Sequence, residues 1–280
     1  MNYTAFGDQV RGAQHVKNKS KCQDKFKIEK IDDALIIAVA DGHGSSKCKY
    51  SDEGAQLAVN VFCDIIASLV KQHSGRMDEL YSYLSRNKAE SLPKKIVQVW
   101  KDTVEKNHQK KSNEVEIDLT FYGTTLLGFL ITESFCFALQ LGDGDILCVN
   151  SGGQTTPFIE TDKILGTETY SISSEKAWEN VIIEMRNQAT DEFPVLFIIS
   201  TDGFANSFVS DEEFMKTGAD YLELLKEYGE NEIKDNLKNW LNETTQNGSG
   251  DDITLVLIYD KMRIRLWEKF FWPDCEGSYW

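Results

Sequence analysis

The sequence predicts an α+β fold in which two packed, mainly antiparallel sheets are flanked by helices. Three observations carry this reading. Short apolar runs recur along the chain and end at glycine, aspartate or asparagine, which marks strands and tight turns. Stretches with helical spacing fall in pairs between groups of strands, without the βαβ alternation of a parallel sheet. The chain has 280 residues, enough to bury a sizeable core, and no repeat, low-complexity tract or linker divides it. One domain is expected over residues 1–262, followed by a tail over 263–280 rich in tryptophan and phenylalanine. The tail is short and mixed in charge, which favours docking on the domain over insertion in a membrane.

Residues 3–10 alternate loosely and predict a first strand, while 11–23 are polar and basic and predict a loop. A second strand follows at 25–29. Residues 35–40, Leu-Ile-Ile-Ala-Val-Ala, are apolar throughout, so this strand is buried on both faces. Ala55, Ala58, Val59, Phe62, Ile65, Ile66 and Leu69 recur at helical spacing and place a helix over 50–69, with Ser51 near its start. Gly75 breaks the pattern. Two further helices are expected at 77–84 and 93–107, with Pro93 at the N-terminus of the second. From residue 121 the period shortens, and 121–132, 135–141, 146–150 and 155–159 read as consecutive strands joined by tight turns, a meander. Residues 160–177 form a polar surface excursion. Strands resume at 178–186 and 193–201. Helices follow at 210–225 and 230–241, with Trp240 and Leu241 extending the apolar face of the latter, and a last strand lies at 253–259.

Composition narrows the function. The chain is 41% hydrophobic and 27% charged, ordinary for a globular protein. A net charge of −15 argues against a general nucleic-acid binder, and a metal-dependent nuclease would need basic surface for its polyanion. No apolar run approaches the roughly 20 residues of a spanning helix. The first residues lack the basic and apolar regions of a signal peptide. Six scattered cysteines without a Cys-x-x-Cys pair predict reduced thiols in a cytoplasmic protein, not a disulfide framework or a zinc site.

The chemistry lies where apolar runs meet aspartate beside glycine. The run at 35–40 ends in Asp41-Gly42-His43-Gly44, and that at 194–201 ends in Asp202-Gly203. The run at 135–141 leads into Gly142-Asp143-Gly144-Asp145, and Gly250-Asp251-Asp252 precedes the last strand. One Asp-Gly is a turn. Four of them, each fixed by a buried strand, point to converging carboxylates, which are stable together only around cations. Oxygen-only donors suit magnesium, manganese or calcium. Asp41 has the best claim to bridge two ions, because Gly42 beside it can add a backbone carbonyl. Asp202 and Asp251 would complete one ion's shell. Two such ions lower the pKa of a shared water, whose hydroxide attacks phosphorus, and hold the phosphoryl group in line. His43 is either the general acid for a leaving alkoxide or a polar turn residue. Asp252 stands behind the ligands or in an exposed turn, and Asp145 leaves a hairpin turn.

These residues resemble the motifs of the metal-dependent serine/threonine phosphatases of the protein phosphatase 2C type. The matching pieces are Gln23-Asp24, Asp41-Gly42-His43-Gly44, Gly123-Thr124-Thr125, Leu141-Gly142-Asp143-Gly144, Ser200-Thr201-Asp202-Gly203 and Gly250-Asp251-Asp252-Ile253-Thr254. They occur in the family's order across residues 5–260, and Gly12-Ala13-Gln14-His15 with Cys22-Gln23-Asp24 looks like a bacterial branch. The resemblance implies an α-β-β-α sandwich with two Mn²⁺ or Mg²⁺ ions at one edge of the sheets. Asp41 would bridge them, Gly42 would give its carbonyl to one, and Asp202 and Asp251 would ligate the other. Asp143 with Asp202 would match a weaker third site, and Asp24 would support the ligands from behind. Residues 160–190 take the place of the family's flap.

Two departures stand out. Gln23 replaces a common glutamate, turning one water-mediated carboxylate contact into an amide. An arginine that clamps the substrate phosphate is replaced by a stretch offering His15, Lys17, Lys19 and Lys21. The expected activity is hydrolysis of phosphoserine and phosphothreonine on proteins, opposite a cognate serine/threonine kinase system, with neither nucleic acid nor membrane as partner. A catalytically weak module of the same fold that binds a phosphorylated partner is the alternative.

Overall fold

The computed structural model describes residues 2–111, 117–160, 170–191 and 193–264. In chain order the strands are β1 (Tyr3–Val10), β2 (Lys25–Ile31), β3 (Ala34–Ala40), β4 (Leu126–Ile131), β5 (Phe135–Leu141), β6 (Asp145–Val149), β7 (Thr155–Pro157), β8 (Ile182–Asn187), β9 (Leu196–Ser200) and β10 (Ile253–Asp260). The helices are α1 (Ala13–Asn18), α2 (Ser51–Gln72), α3 (Met77–Asn87), α4 (Ser91–Lys111), α5 (Asp202–Ala205), α6 (Asp211–Glu227) and α7 (Gly229–Asn247). The strands form two antiparallel five-stranded sheets, ordered β1-β10-β9-β6-β7 and β2-β3-β4-β5-β8.

The two-residue period of β3 builds the layers. Leu35, Ile37 and Val39 point toward the other sheet and pack with Phe129, Phe197, Ile199 and Val256. Ile36, Ala38 and Ala40 point the other way, onto Phe62, Ile66 and Trp100 of α2 and α4. The outer face of the first sheet, through Leu255 and Leu257, takes Phe214 and Leu222 of α6 and Ile233, Leu237 and Leu241 of α7. The result is an α-β-β-α sandwich with three apolar layers. Phe129 and Phe197 meet across its centre with ring centroids 4.9 Å apart, a contact that contributes about 0.5–1.5 kcal/mol beyond the area buried.

Four features differ from the sequence reading. The basic stretch after β1 contains a short helix, α1, because Gly12 and Gln14 are anchored on the loop before β10. Residues 119–122 form a 3₁₀ turn, not the start of a strand, and only Thr124 bridges in β fashion, to Gly42. The expected meander is broken. β4 and β5 pair in one sheet, while β6 pairs with β9 in the other, so Gly142-Asp143-Gly144 crosses between sheets. Asp145 therefore opens β6 and does not leave a hairpin. Finally, α2 is long and apolar enough to cross a membrane by length and composition, a run that its scattered charged residues conceal. It is a core helix, with 67% of its most apolar window buried against β2, β3 and α4. The flap region is described only outside residues 161–169, and the tail lies beyond the described residues from 265 onward. Arg263 donates to the Phe193 carbonyl at 2.6 Å, and Ile264 is buried on the domain.

Gly54, in the first turn of α2, shows how tightly the site-bearing segment is seated. A Cβ on Gly54 would lie 1.9 Å from the Tyr122 carbonyl oxygen, a backbone atom that cannot swing aside. Helix propensity favours Gly54→Ala by about 1 kcal/mol, whereas overpacking costs about 1–3 kcal/mol. The clash should win. Chemical denaturation of Gly54→Ala is expected to show a net loss of stability, and a variant more stable than the parent would contradict this packing.

Candidate active site

Asp41 leaves the buried end of β3 and is fixed by two threonines. Its N–H donates to Thr125 Oγ1 at 2.9 Å, and its carbonyl accepts from Thr125 N at 2.8 Å and Thr124 Oγ1 at 2.7 Å. The next residue must be glycine, because a Cβ on Gly42 would stand 2.7 Å from the Ser51 carbonyl oxygen. Asp202 follows β9 as the first residue of α5. Its Oδ2 accepts from Asn206 Nδ2 at 3.0 Å, while Oδ1 is buried with no protein partner. Asp251, half exposed, lies in the loop between α7 and β10. That loop touches the start of α5: a Cβ on Gly203 would fall 2.0 Å from the Asp252 carbonyl oxygen. Exposed Asp143 sits on the crossover between sheets, where Gly142 adopts φ +110°.

Behind this set lies Asp24, fully buried. Its Oδ2 accepts from the hydroxyls of Thr201 and Thr254, both at 2.8 Å, and its Oδ1 has no protein partner. Asp24 thereby ties β2 to the ends of β9 and β10. Asp252 is 3% exposed, which removes the exposed-turn alternative. Its carboxylate accepts from the N–H of Gly12 and of Gln23, each at 2.6 Å. The Gln23 amide donates to the His43 carbonyl at 3.2 Å, a contact that an ionised glutamate could not make, and to Ser51 Oγ at 2.5 Å.

His43 is partly buried. Its N–H donates to the Gly123 carbonyl at 3.1 Å, and its ring Nε2 is buried with no protein partner. Of the four residues offered for the phosphate clamp, Lys17 and Lys19 are exposed on and after α1, and Lys21 pairs with Asp52 at 3.0 Å. His15 instead packs against the acidic loop, with Nδ1 2.9 Å from Asp252 Oδ1 and Nε2 3.8 Å from Asp251 Oδ1. Sequence reasoning assigned no task to Thr125, Thr201, Thr254 or Ser171, although Ser171 Oγ accepts from Thr124 N at 3.2 Å. Threonines beside strands look like ordinary strand formers, and only the tertiary contacts reveal these hydroxyls as props.

The electrostatics follow from burial. Desolvation, reinforced by the charges of Asp24, Asp202 and Asp251, holds the Asp41 carboxyl well above the usual carboxylate range. Burial, with Asp143 adding, raises Asp202 to about 6. Burial and the charge of Asp252 raise Asp24 to about 7 against the pull of its two threonines. Burial lowers His43, opposed by the charge of Asp143. Among the described residues, no three Asp, Glu, His or Cys side chains close into a ready cage. The donor chemistry nonetheless fits a hard divalent cation: the donors are oxygens, they repel one another, and buried oxygens of Asp24 and Asp202 lack partners.

The chain belongs to the protein phosphatase 2C family, whose profile matches residues 11–242. It is therefore a serine/threonine phosphoprotein phosphatase, and dependence on divalent metal goes with the family. A search of curated proteins found no match. Solved structures share the fold. A bacterial serine phosphatase is 16% identical, with 93% of this chain and 98% of that one covered at a TM-score of 0.59. The serine/threonine phosphatase Stp1 from Staphylococcus aureus is 15% identical over 92% of this chain and 94% of its own, at 0.58. The catalytic domain of the serine/threonine phosphatase PstP, solved with two manganese ions, is 14% identical over 92% and 96%, at 0.55.

The raised carboxyls set a pH dependence for the metal-free protein. A carboxyl whose folded value exceeds its ordinary 3.8 contributes stability below that value and loses it as pH rises through the folded value. In chelator, stability should therefore fall between about pH 4 and pH 7, the window opened by Asp202 and Asp24. A melting-temperature drop of at least about 2–4 °C, the equivalent of 1 kcal/mol in a domain near this size, is expected. Mn²⁺ should restore stability at pH 7. Metal-free protein that became more stable across this window would contradict the burial of these groups.

Proposed function

We propose that this phosphatase hydrolyses phosphoserine and phosphothreonine on proteins at a centre of two Mn²⁺ or Mg²⁺ ions. Asp41 would bridge them, with the Gly42 carbonyl, Asp202 and Asp251 as further ligands, and Asp143 with Asp202 would hold a third, looser ion. The observation that carries this reading is the meeting of Asp41, Asp202 and Asp251, from three separate elements, in a repelling all-oxygen set. Bound there, the cations would supply a nucleophile from water at neutral pH and offset charge on the phosphoryl oxygens.

The protein's own residues do the rest. Thr124 and Thr125 fix the Asp41 backbone, so its carboxylate has little freedom to swing. Asp24, braced by Thr201 and Thr254, would face the ligands from the protein side, oriented by its hydroxyl bonds. His43, with its Nε2 unpartnered, would deliver a proton to the leaving alkoxide. Lys17 and Lys19, exposed at the rim, would attract the phosphate as point charges, with less geometric control than an arginine fork. The net charge of −15 favours protein substrates over polyanions, so neither nucleic acid nor membrane is proposed as partner. The five described cysteines are free thiols, which supports a cytoplasmic site of action opposite a serine/threonine kinase.

Phosphopeptide hydrolysis with and without metal tests the reading. Activity should vanish in chelator and return with Mn²⁺ or Mg²⁺. Full recovery with zinc but not manganese would refute the oxygen-donor centre.

The aspartates should also rank by the number of ions each touches. Asp41→Asn should be the most damaging, Asp202→Asn and Asp251→Asn next and partly rescued by high Mn²⁺, and Asp143→Asn the mildest. Calorimetric Mn²⁺ titration alongside kcat checks the order. An Asp41→Asn protein with both tight sites and near-normal turnover would end the bridging assignment.

A further inference from the structure

The stretch expected to clamp phosphate is joined to the acidic loop at several points. Gln14 N donates to the Gly250 carbonyl at 2.9 Å, and Ala13 N donates to Thr245 Oγ1 at 3.1 Å. Thr245 Oγ1 in turn donates to the Asp251 carbonyl at 2.8 Å. Gly12 lies so close that a Cβ would stand 2.4 Å from the Asp251 carbonyl carbon. Gly12 N and Gln23 N bind the two oxygens of Asp252, one from each end of the stretch. His15 closes this arrangement. Its side chain is 19% exposed, with one ring nitrogen against Asp252 and the other toward Asp251. The short contact with Asp252 is one of packing, since the ring is not aimed for an aligned hydrogen bond.

We propose that His15 and Asp252 form a positioning pair that holds Asp251 at the metal centre, and that His15 is not part of the phosphate clamp. The inference rests on the proposed role of Asp251 as a ligand. Its physical basis is restraint. Asp251 is half exposed on a loop, and its Oδ1 accepts from Asp252 N at 2.8 Å, a single bond that leaves the carboxylate room to turn. Packing the imidazole between its carboxylate and the buried carboxylate of Asp252 limits that freedom. The buried Asp252 is itself anchored by two backbone N–H groups, so the restraint is transmitted from a fixed point. The arrangement divides the basic stretch into two tasks: Gly12 to His15 serves the metal loop, and Lys17 and Lys19 remain exposed for the substrate. An outer partner of this kind acts on metal affinity before it acts on substrate affinity.

Mn²⁺ titration by calorimetry of the full-length, metal-stripped protein, paired with kcat and KM for a phosphopeptide at saturating Mn²⁺, separates the roles. His15→Ala should weaken Mn²⁺ binding by about tenfold, the low end for loss of a partner behind a ligand, while KM and the metal-free melting temperature stay near the parent values. His15→Gln, which keeps polar bulk between the two carboxylates, should recover part of the Mn²⁺ affinity. The Lys17→Ala/Lys19→Ala double variant should raise KM and leave Mn²⁺ affinity unchanged. Unchanged Mn²⁺ affinity in His15→Ala, with or without a raised KM, overturns the pairing while leaving the metal centre intact. Parent protein that binds no Mn²⁺ and cleaves no phosphopeptide removes the metal-centre reading and the pairing together.

Discussion

Several aspartates are gathered at one edge of a dry sandwich, and most of the local structure answers that repulsion. A buried carboxylate without a partner is costly, and neighbours of like charge raise the cost. Each aspartate meets the problem differently. Asp252 accepts from two backbone N–H groups and packs against an imidazole. Asp24 accepts from two threonine hydroxyls and keeps one oxygen without a protein partner. Asp41 and Asp202 lie close enough that the charge of Asp202 helps hold the Asp41 carboxyl above its usual range, and Asp202 keeps one buried oxygen without a partner among the described residues. The protein alone satisfies Asp252 and leaves the others incompletely satisfied.

The sandwich produces this convergence because its aspartate-bearing loops emerge at one end of the sheets. β3 and β9 belong to different sheets, yet Asp41 and Asp202 meet beyond their ends. The chain crosses from β5 to β6 at Gly142-Asp143-Gly144, which places Asp143 near Asp202. Close approach of these loops demands glycine. At Gly42 and Gly203 an added Cβ would collide with backbone oxygens of Ser51 and Asp252. Glycine beside each aspartate therefore permits loop-on-loop packing, as well as tight turning.

The departures from the family pattern also find structural uses. Gln23 donates to the His43 carbonyl and the Ser51 hydroxyl, linking the candidate acid's own backbone to the first turn of α2. The lysine-bearing stretch is no free loop. Its first half is sewn to the loop that carries Asp251, so Lys17 and Lys19 share a support with that aspartate.

Periodicity and punctuation made most of the fold readable in the sequence. β1 and β5 fall on the residues expected, and α6 and α7 lie where the apolar spacing placed them, because side chains on a two-sided sheet or an amphipathic helix must alternate with burial. The motif aspartates were legible because each closes an apolar run beside glycine. Local pattern could not show which strands pair. Residues 121–159 read as one meander, and only the packing of two sheets divided them at Gly142. Nor could it show where His15 turns, because a histidine in a basic stretch looks like an anion binder until Asp252, 237 positions away in the chain, is folded against it. Sequence alone determined which residues are buried and which carry charge, since these depend on near neighbours. Tertiary structure decided which charges meet, because that depends on contacts between residues far apart in the chain.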